Sequence, residues 1–220
     1  AVLRIQNPPV NALSQAVRQG LAVGMDRAEA DAAIKAVVIV GDGRAFIAGA
    51  DITEFGKPPM EPNLPDLCTR IEASPLLVIA SMHGVSLGGG LEVALGAHYR
   101  IAQPDAKIGL PEVHLGLLPG AGGTQRPPRL TGAAKAIEIM TTGGQINAAA
   151  AIEMGVIDKI EAGDPQEVGA GAAPRRMGQV VAGAVDRRHG RRREPVFEAI
   201  DAGAEFVARL VITSTSKRTF

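Results

Sequence analysis

The stretch HGVSLGGGLE, residues 83–92, decides how this chain is read. It contains a G-x-S-x-G match over residues 84–88 and runs into three consecutive glycines, Gly88 to Gly90, followed closely by Glu92. The apolar run before it, residues 76–80, predicts a strand, and residues 91–97 predict a helix. Between them, residues 83–90 form a turn that permits two readings. Either Ser86 is a nucleophile raised on a strand-to-helix elbow, or the glycines open a helix start whose backbone N–H groups are bare.

The nucleophile reading has Asp105 and His114 following in Ser, acid, His order. Against it, glycine-rich sequence meets G-x-S-x-G by chance, and the span from Ser86 to His114 is too short to draw a triad from separate strands. No HGGG-type loop precedes the serine. The second reading needs nothing unusual. A helix start offers N–H donors and the positive end of the helix dipole, which suit an oxygen that becomes negative during reaction. A second loop of small residues, FIAGADI (residues 46–52), follows a predicted strand and precedes a short helix. Two such loops can place one N–H each on one oxygen. Ser86 is then a passenger in the turn.

Outward from this motif, strands and helices alternate, so the predicted class is α/β. Residues 2–6 alternate like a strand, and Ser14 is a helix N-cap before the Val17, Leu21, Met25 stripe. Residues 36–40 (AVVIV) read as a buried strand. Asp51 caps a short helix, residues 57–65 form a proline-rich loop, and residues 65–73 form a helix. Beyond the central turn, residues 99–102, 107–110 and 156–160 read as strands. Residues 120–123 read as a glycine loop, and residues 133–140 and 148–154 as helices. Two carboxylates accompany the glycines: Glu92 in the first turn of the helix, and Glu112 just past Pro111. Either alone is an ordinary helix-start acid; their shared context points to chemistry.

Composition narrows the classes. The 220 residues suffice for one well-buried domain. Lys+Arg and Asp+Glu balance at 23 each, so nucleic acid is not an expected partner. A single cysteine, Cys68, rules out an internal disulfide framework and fits a reducing compartment, the cytoplasm or an organelle matrix. Aromatic residues make up 3% of the chain, so the core must rest on aliphatic side chains. The opening has no signal-peptide pattern, and the most apolar region, residues 76–97, is broken by His83, Glu92 and glycines; no membrane association is expected. His83, His98 and His114 lack metal-ligand spacing, so no metal is expected. Arg44 and Lys57 flank the first loop, where a phosphate contact and plain solvation are equally compatible with the sequence.

FIAGADI, HGVSLGGGLEVALGAHYRIA and IGLPEVHLGLLPGAGGTQR, in that order, resemble the enoyl-CoA hydratase/isomerase (crotonase) superfamily. With NPPVNALS at residues 7–14, they look most like the hydratase part of multifunctional fatty-acid β-oxidation enzymes. The resemblance covers residues 2–160. It implies a spiral of β-β-α turns with a C-terminal helical region, assembled as trimers or dimers of trimers. It also implies that the N–H groups of Ala50 and Gly89 bind the thioester oxygen of an acyl-CoA substrate. Glu92 and Glu112 then hold the water and move its protons, Glu92 as the base and Glu112 as the proton donor. Ala48, Gly49, Asp51, Ile52 and Gly88 line the substrate, and Gly120 opens the loop that seats the water. No cofactor is implied, since coenzyme A enters as part of the substrate. The activity implied is hydration of 2-trans-enoyl-CoA, with Δ3-Δ2-enoyl-CoA isomerisation as the rival on the same site.

The expected division is a catalytic core at residues 1–163 and a divergent Arg/Ala/Gly-rich tail at 164–220. The tail's basic run RRHGRRREP (residues 187–195) reads first as a solvated surface and second as a guide for phosphate or RNA. Some members of the superfamily bind RNA, which makes a binding protein the competing class. Val196, Ile200, Phe206 and Leu210 suggest one face of an amphipathic helix. No G-x-G-x-x-G follows a strand, so a dehydrogenase part is not expected within these residues.

Overall fold

AVVIVG, residues 36–41, is apolar throughout because both faces of the strand it forms are covered. The structure, a computed structural model, describes residues 1–182, 185–186, 191–192 and 209–213, and the side chains of residues 1–174. Strand β1 (Val2–Gln6) leads to helix α1 (Gln15–Ala30), whose first turn is capped by Ser14 accepting from Val17 N, and then to strand β2 (Ala36–Gly41). A 3-10 turn (Ile52–Glu54) precedes helix α2 (Leu64–Ala73), capped by Asn63, and strand β3 (Leu77–Met82). Strand β4 (Val85–Leu87), helix α3 (Gly89–Gly96), strand β5 (Tyr99–Ala102) and strand β6 (Lys107–Gly109) follow. After a second 3-10 turn (Pro111–Leu115) come helices α4 (Arg126–Thr131) and α5 (Ala133–Thr142) and strand β7 (Gln145–Asn147). Next are helix α6 (Ala148–Met154), strand β8 (Lys159–Ile160) and helix α7 (Pro165–Ala182). Short strands β9 (Val185–Asp186) and β10 (Arg191–Arg192) pair with each other, and β11 (Arg209–Thr213) joins the main sheet.

The main sheet has the order β11-β1-β2-β3-β5-β8, and every neighbouring pair is parallel. Parallel neighbours require crossovers, which the helices supply. Side chains alternate between two cores. Leu3, Val37, Ile39 and Val78 pack with α1, α2 and α3, whereas Val2, Val38, Val40, Ile79 and Ile101 pack against Val168 and Ala172 of α7. Each fully buried aliphatic side chain contributes about 1.5–3 kcal/mol, so both covers matter. The fit under α7 is close: a Cβ on Gly169 would stand 2.5 Å from Val38 Cγ1, and the Ser81 hydroxyl donates to Pro165 O. A smaller sheet, β4-β6-β7, lies beside the first, with β4 and β6 parallel and β7 antiparallel.

The elements differ from the sequence expectation at specific points. Residues 83–90 are not all turn: Val85, Ser86 and Leu87 pair with β6, and α3 begins two residues earlier than expected, at Gly89. That pairing is tertiary, so three residues among glycines gave no local signal. Helix α4 was not among the expected elements; Pro127 and Pro128 sit in its first turn, where a missing N–H costs nothing. Strand β7 is likewise held by β6 alone. The strand expected at 156–160 shortens to Lys159–Ile160. In the tail, Leu210 lies in a strand paired with Leu3 rather than on a helix; Val196, Ile200 and Phe206 and most of the arginine run lie outside the described residues.

Helix α3 meets the FIAGADI loop at close range. A Cβ on Gly90 would stand 2.2 Å from Ile47 O and 2.8 Å from Ile47 Cβ. Gly90→Ala is therefore expected to destabilise the fold by about 1–3 kcal/mol, the usual cost of overpacking a core. The measurement is a lower urea midpoint at unchanged slope.

Candidate active site

Strand β4 delivers the chain to Gly88, whose φ of 51° and ψ of −126° suit only a residue without a Cβ. Gly88 N donates to Gly109 O at 2.9 Å, and Gly88 O accepts from Glu92 N at 3.0 Å. Helix α3 thus starts at Gly89. The FIAGADI loop is sewn to the same place from two sides. Ile47 N donates to Val85 O and Leu87 N to Ile47 O, while Leu13 N donates to Gly49 O and Leu13 bridges Ala50. These ties bring Ala50 beside Gly89: a Cβ built on Gly89 would be 3.8 Å from Ala50 N. Among the described residues, no protein group accepts from the N–H of Ala50 or of Gly89. Two unengaged main-chain donors from separate loops therefore stand together.

Glu92, in the first turn of α3, is 2% exposed. Its Oε1 accepts from Ala121 N at 2.7 Å and Gly123 N at 2.8 Å, both in the glycine loop. Glu112 is half-buried on the second 3-10 turn. Its Oε1 would lie 2.9 Å from a Cβ on Gly88, and its Oε2 is buried without a hydrogen-bond partner. Both carboxylates therefore sit at the mouth of α3. Burial pushes the Glu92 carboxyl above its ordinary range, opposed by the amides of Gly123 and Ala121 and by the charge of Arg126. Burial also pushes Glu112 up; its own backbone N–H opposes this, and the negative charge of Glu92 adds to it. Two close carboxylates resist ionising together.

The stability consequence has a definite sign. A carboxyl whose folded value lies above its unfolded value of 4.5 binds its proton more tightly when folded. The stability this gives is complete below that unfolded value and is lost as pH rises through the raised one. Glu92→Gln keeps an acceptor oxygen for Ala121 and Gly123 but removes the buried charge. The variant is expected to melt above the parent at pH 8, with the gap closing toward pH 4 in calorimetric scans. A gap that is the same at both pH values would contradict this.

The other expected positions fall as follows. Ala48 N donates to Val10 O at 3.1 Å, and Gly49 has a φ of 127°. The Asp51 carboxylate caps the first 3-10 turn by accepting from Thr53 N, and Ile52 is 72% exposed. Gly120 is exposed at the start of the glycine loop; the amides that hold Glu92 come from Ala121 and Gly123 instead. Those two residues, and Arg126 behind them, were not singled out from sequence, because nothing local ties a loop to a carboxylate far back in the chain. Ser86 is fully buried and its hydroxyl has no hydrogen-bond partner, while His114 is exposed and meets Thr142 O. Among the described residues, no hydrolase triad is assembled around Ser86. Cys68 is buried, and burial, with the charge of Glu92 second, pushes its thiol up to about 12. Among the described residues, no group of three His, Cys, Asp or Glu side chains is placed to hold a metal.

The parallel sheet, its small companion sheet and a glycine turn carrying a buried carboxylate define the crotonase class of α/β folds. A model of the enoyl-CoA hydratase/isomerase family matches residues 1–179. The chain belongs to the enoyl-CoA hydratase/isomerase family. A peroxisomal bifunctional enzyme of Danio rerio is 50% identical over 160 residues, covering 73% of this chain and 22% of that protein. A Bacillus subtilis protein named "Probable enoyl-CoA hydratase" is 46% identical over 175 residues, covering 76% of this chain and 67% of that one. Among solved structures, an enoyl-CoA hydratase of Bacillus anthracis superposes with a TM-score of 0.74 at 32% identity, covering 80% of this chain and 73% of that one. The chain thus spans about a fifth of the bifunctional relative and two thirds of the Bacillus subtilis one.

Proposed function

We propose that this chain adds water across the double bond of 2-trans-enoyl-CoA thioesters, giving 3-hydroxyacyl-CoA, the hydration step of fatty-acid β-oxidation. The observation that carries this reading is the pair of unengaged N–H groups, Ala50 and Gly89, beside the buried Glu92 and the half-buried Glu112 carboxylates. In the reaction the water oxygen bonds to the β-carbon as Glu92 takes its proton. Electron density moves onto the thioester oxygen, held by the two amides, and Glu112 delivers a proton to the α-carbon. Donors that meet charge only as it develops lower the barrier more than they tighten substrate binding. The assignment of base and donor is supported by the hydrogen bonds: Glu92 receives two amides that favour its ionised form, whereas one Glu112 oxygen has none. The pair titrates as a unit.

Crotonyl-CoA is the test substrate, followed by loss of its conjugated thioester absorbance. Loss of the band supports hydration. If the band is unmoved while a 3-enoyl-CoA is converted, the activity is isomerisation, which needs one working carboxylate at Glu112.

Coenzyme A enters this reading as part of the substrate, not as a resident cofactor, with Ala48, Gly49, Asp51, Ile52, Gly88 and Gly120 bordering the acyl-CoA. A homotrimer, or two trimers face to face, goes with it. The exposed apolar side chains Leu115, Leu118 and Ile137 support such an assembly, since a lone protomer would leave them in water. The buried free thiol and the peroxisomal naming of a relative support a reducing cytoplasm or organelle matrix. No helix among the described residues is long and apolar enough to cross a membrane.

A further inference from the structure

Glu92 accepts from Ala121 N and Gly123 N on one side of the glycine loop, and a second contact braces the loop from behind. The loop over residues 119–124 (PGAGGT) has little side-chain bulk of its own, and a peptide run of this kind is free to rotate its N–H groups away. One side chain reaches its far side. Arg126, the first residue of α4, donates from Nη1 to Ala121 O at 2.8 Å and from Nη2 to Glu72 Oε2 of α2 at 2.9 Å. Its backbone N donates to Gly122 O at 2.8 Å. The guanidinium is pressed into the loop: a Cβ on Gly122, at φ +105°, would fall 1.9 Å from Nη1. The Arg126 side chain is 11% exposed and Glu72 is 40% exposed, so the anchor ends at the surface while the loop end is buried.

We propose that Arg126 is a positioning residue for the hydration chemistry, a strut between Glu72 and Ala121 O that keeps the N–H groups of Ala121 and Gly123 aimed at Glu92 Oε1. It rests on the reading that Glu92 activates the water. A planar fork suits this task, because it satisfies a carbonyl and a carboxylate at once from fixed directions. Lysine, a point charge on a flexible stem, reaches one or the other. The strut also brings a cation to a site whose other ionisable neighbours are Glu112 from the second 3-10 turn, and Cys68 and Glu72 from α2. Arg126 is the one cation acting on Glu92 among these, and it favours the ionised base.

The test compares Arg126→Met, Arg126→Lys and Glu92→Gln in crotonyl-CoA hydration, reading kcat, KM and the pH profile of kcat. Arg126→Met is expected to lose kcat on the order of 10²-fold, the scale of an ångström-sized misplacement at a reacting group, with KM changing far less. Removing the cation makes Glu92 harder to ionise, so the acidic limb of the profile moves to higher pH. Arg126→Lys is expected to return that limb toward the parent while kcat stays several-fold low. A role confined to folding would lower the melting temperature and leave both limb and kcat alone. Parental kcat in Arg126→Met, or a loss confined to KM, overturns the proposal. Should that variant not fold, Glu72→Gln removes the outer end of the strut: kcat several-fold lower at unchanged KM supports it, and unchanged kcat overturns it. An active Glu92→Gln would instead defeat the reading of Glu92 itself, whatever the arginine variants do.

Discussion

Glu92→Gln is expected to lower kcat for crotonyl-CoA hydration by about 10²–10⁴-fold, the range that a positioned acid or base supplies. The change is small in shape and large in chemistry. A glutamine oxygen can still accept from Ala121 and Gly123, so the glycine loop keeps its partner. What disappears is the group that takes a proton from water. KM should move little, because the carboxylate is asked to act on the water and not to grip the acyl-CoA. The higher melting temperature expected for the same variant at pH 8 excludes unfolding as the cause of lost rate. A folded variant within a few-fold of parental kcat would remove Glu92 from the mechanism.

Gly89→Pro tests the main-chain donors and is expected to cost about 10²–10³ in kcat/KM, the usual loss for one oxyanion donor. Gly89 is the first residue of α3, the helical position where proline is best tolerated. The substitution deletes the N–H without deleting the helix. The new Cβ would approach Leu64 Cδ2 to 2.7 Å and Leu13 Cδ1 to 3.3 Å, both free ends of flexible side chains. Gly89→Ala places the same carbon but keeps the N–H, so it separates crowding from donor loss. The expected order is parent, then alanine, then proline, with circular dichroism unchanged. Equal losses for alanine and proline would assign the effect to bulk and not to the amide.

Much of the site was legible because its chemistry is written in backbone-permissive residues. Glycines at 88–90 announce bare amides at a helix start, and FIAGADI announces a second close approach; in the structure Ala50 lies beside Gly89. AVVIV named a strand covered on both faces, and Ser14 named a cap. The features that stayed hidden are those whose cause lies far along the chain. Strand β4 exists because β6 pairs with it, and α4 exists because its prolines fall in the first turn. The bonds from Ala121 and Gly123 to Glu92 join residues roughly eight helical turns apart in sequence, beyond any local pattern. The G-x-S-x-G match was set aside on its spacing alone, and packing agrees with that rejection: Ser86 is sealed within β4.

Because alternate residues of the central strands serve two separate cores, the molecule has a hidden second wall. Val38, Val40, Ile79 and Ile101 rely on the final described helix for shelter, with Gly169 thin enough to let it lie flat. A protein shortened to residue 163 would present that wall to water as a broad sticky panel. Such a shortened form would gather into aggregates even though every group assigned to the chemistry would still be in the chain.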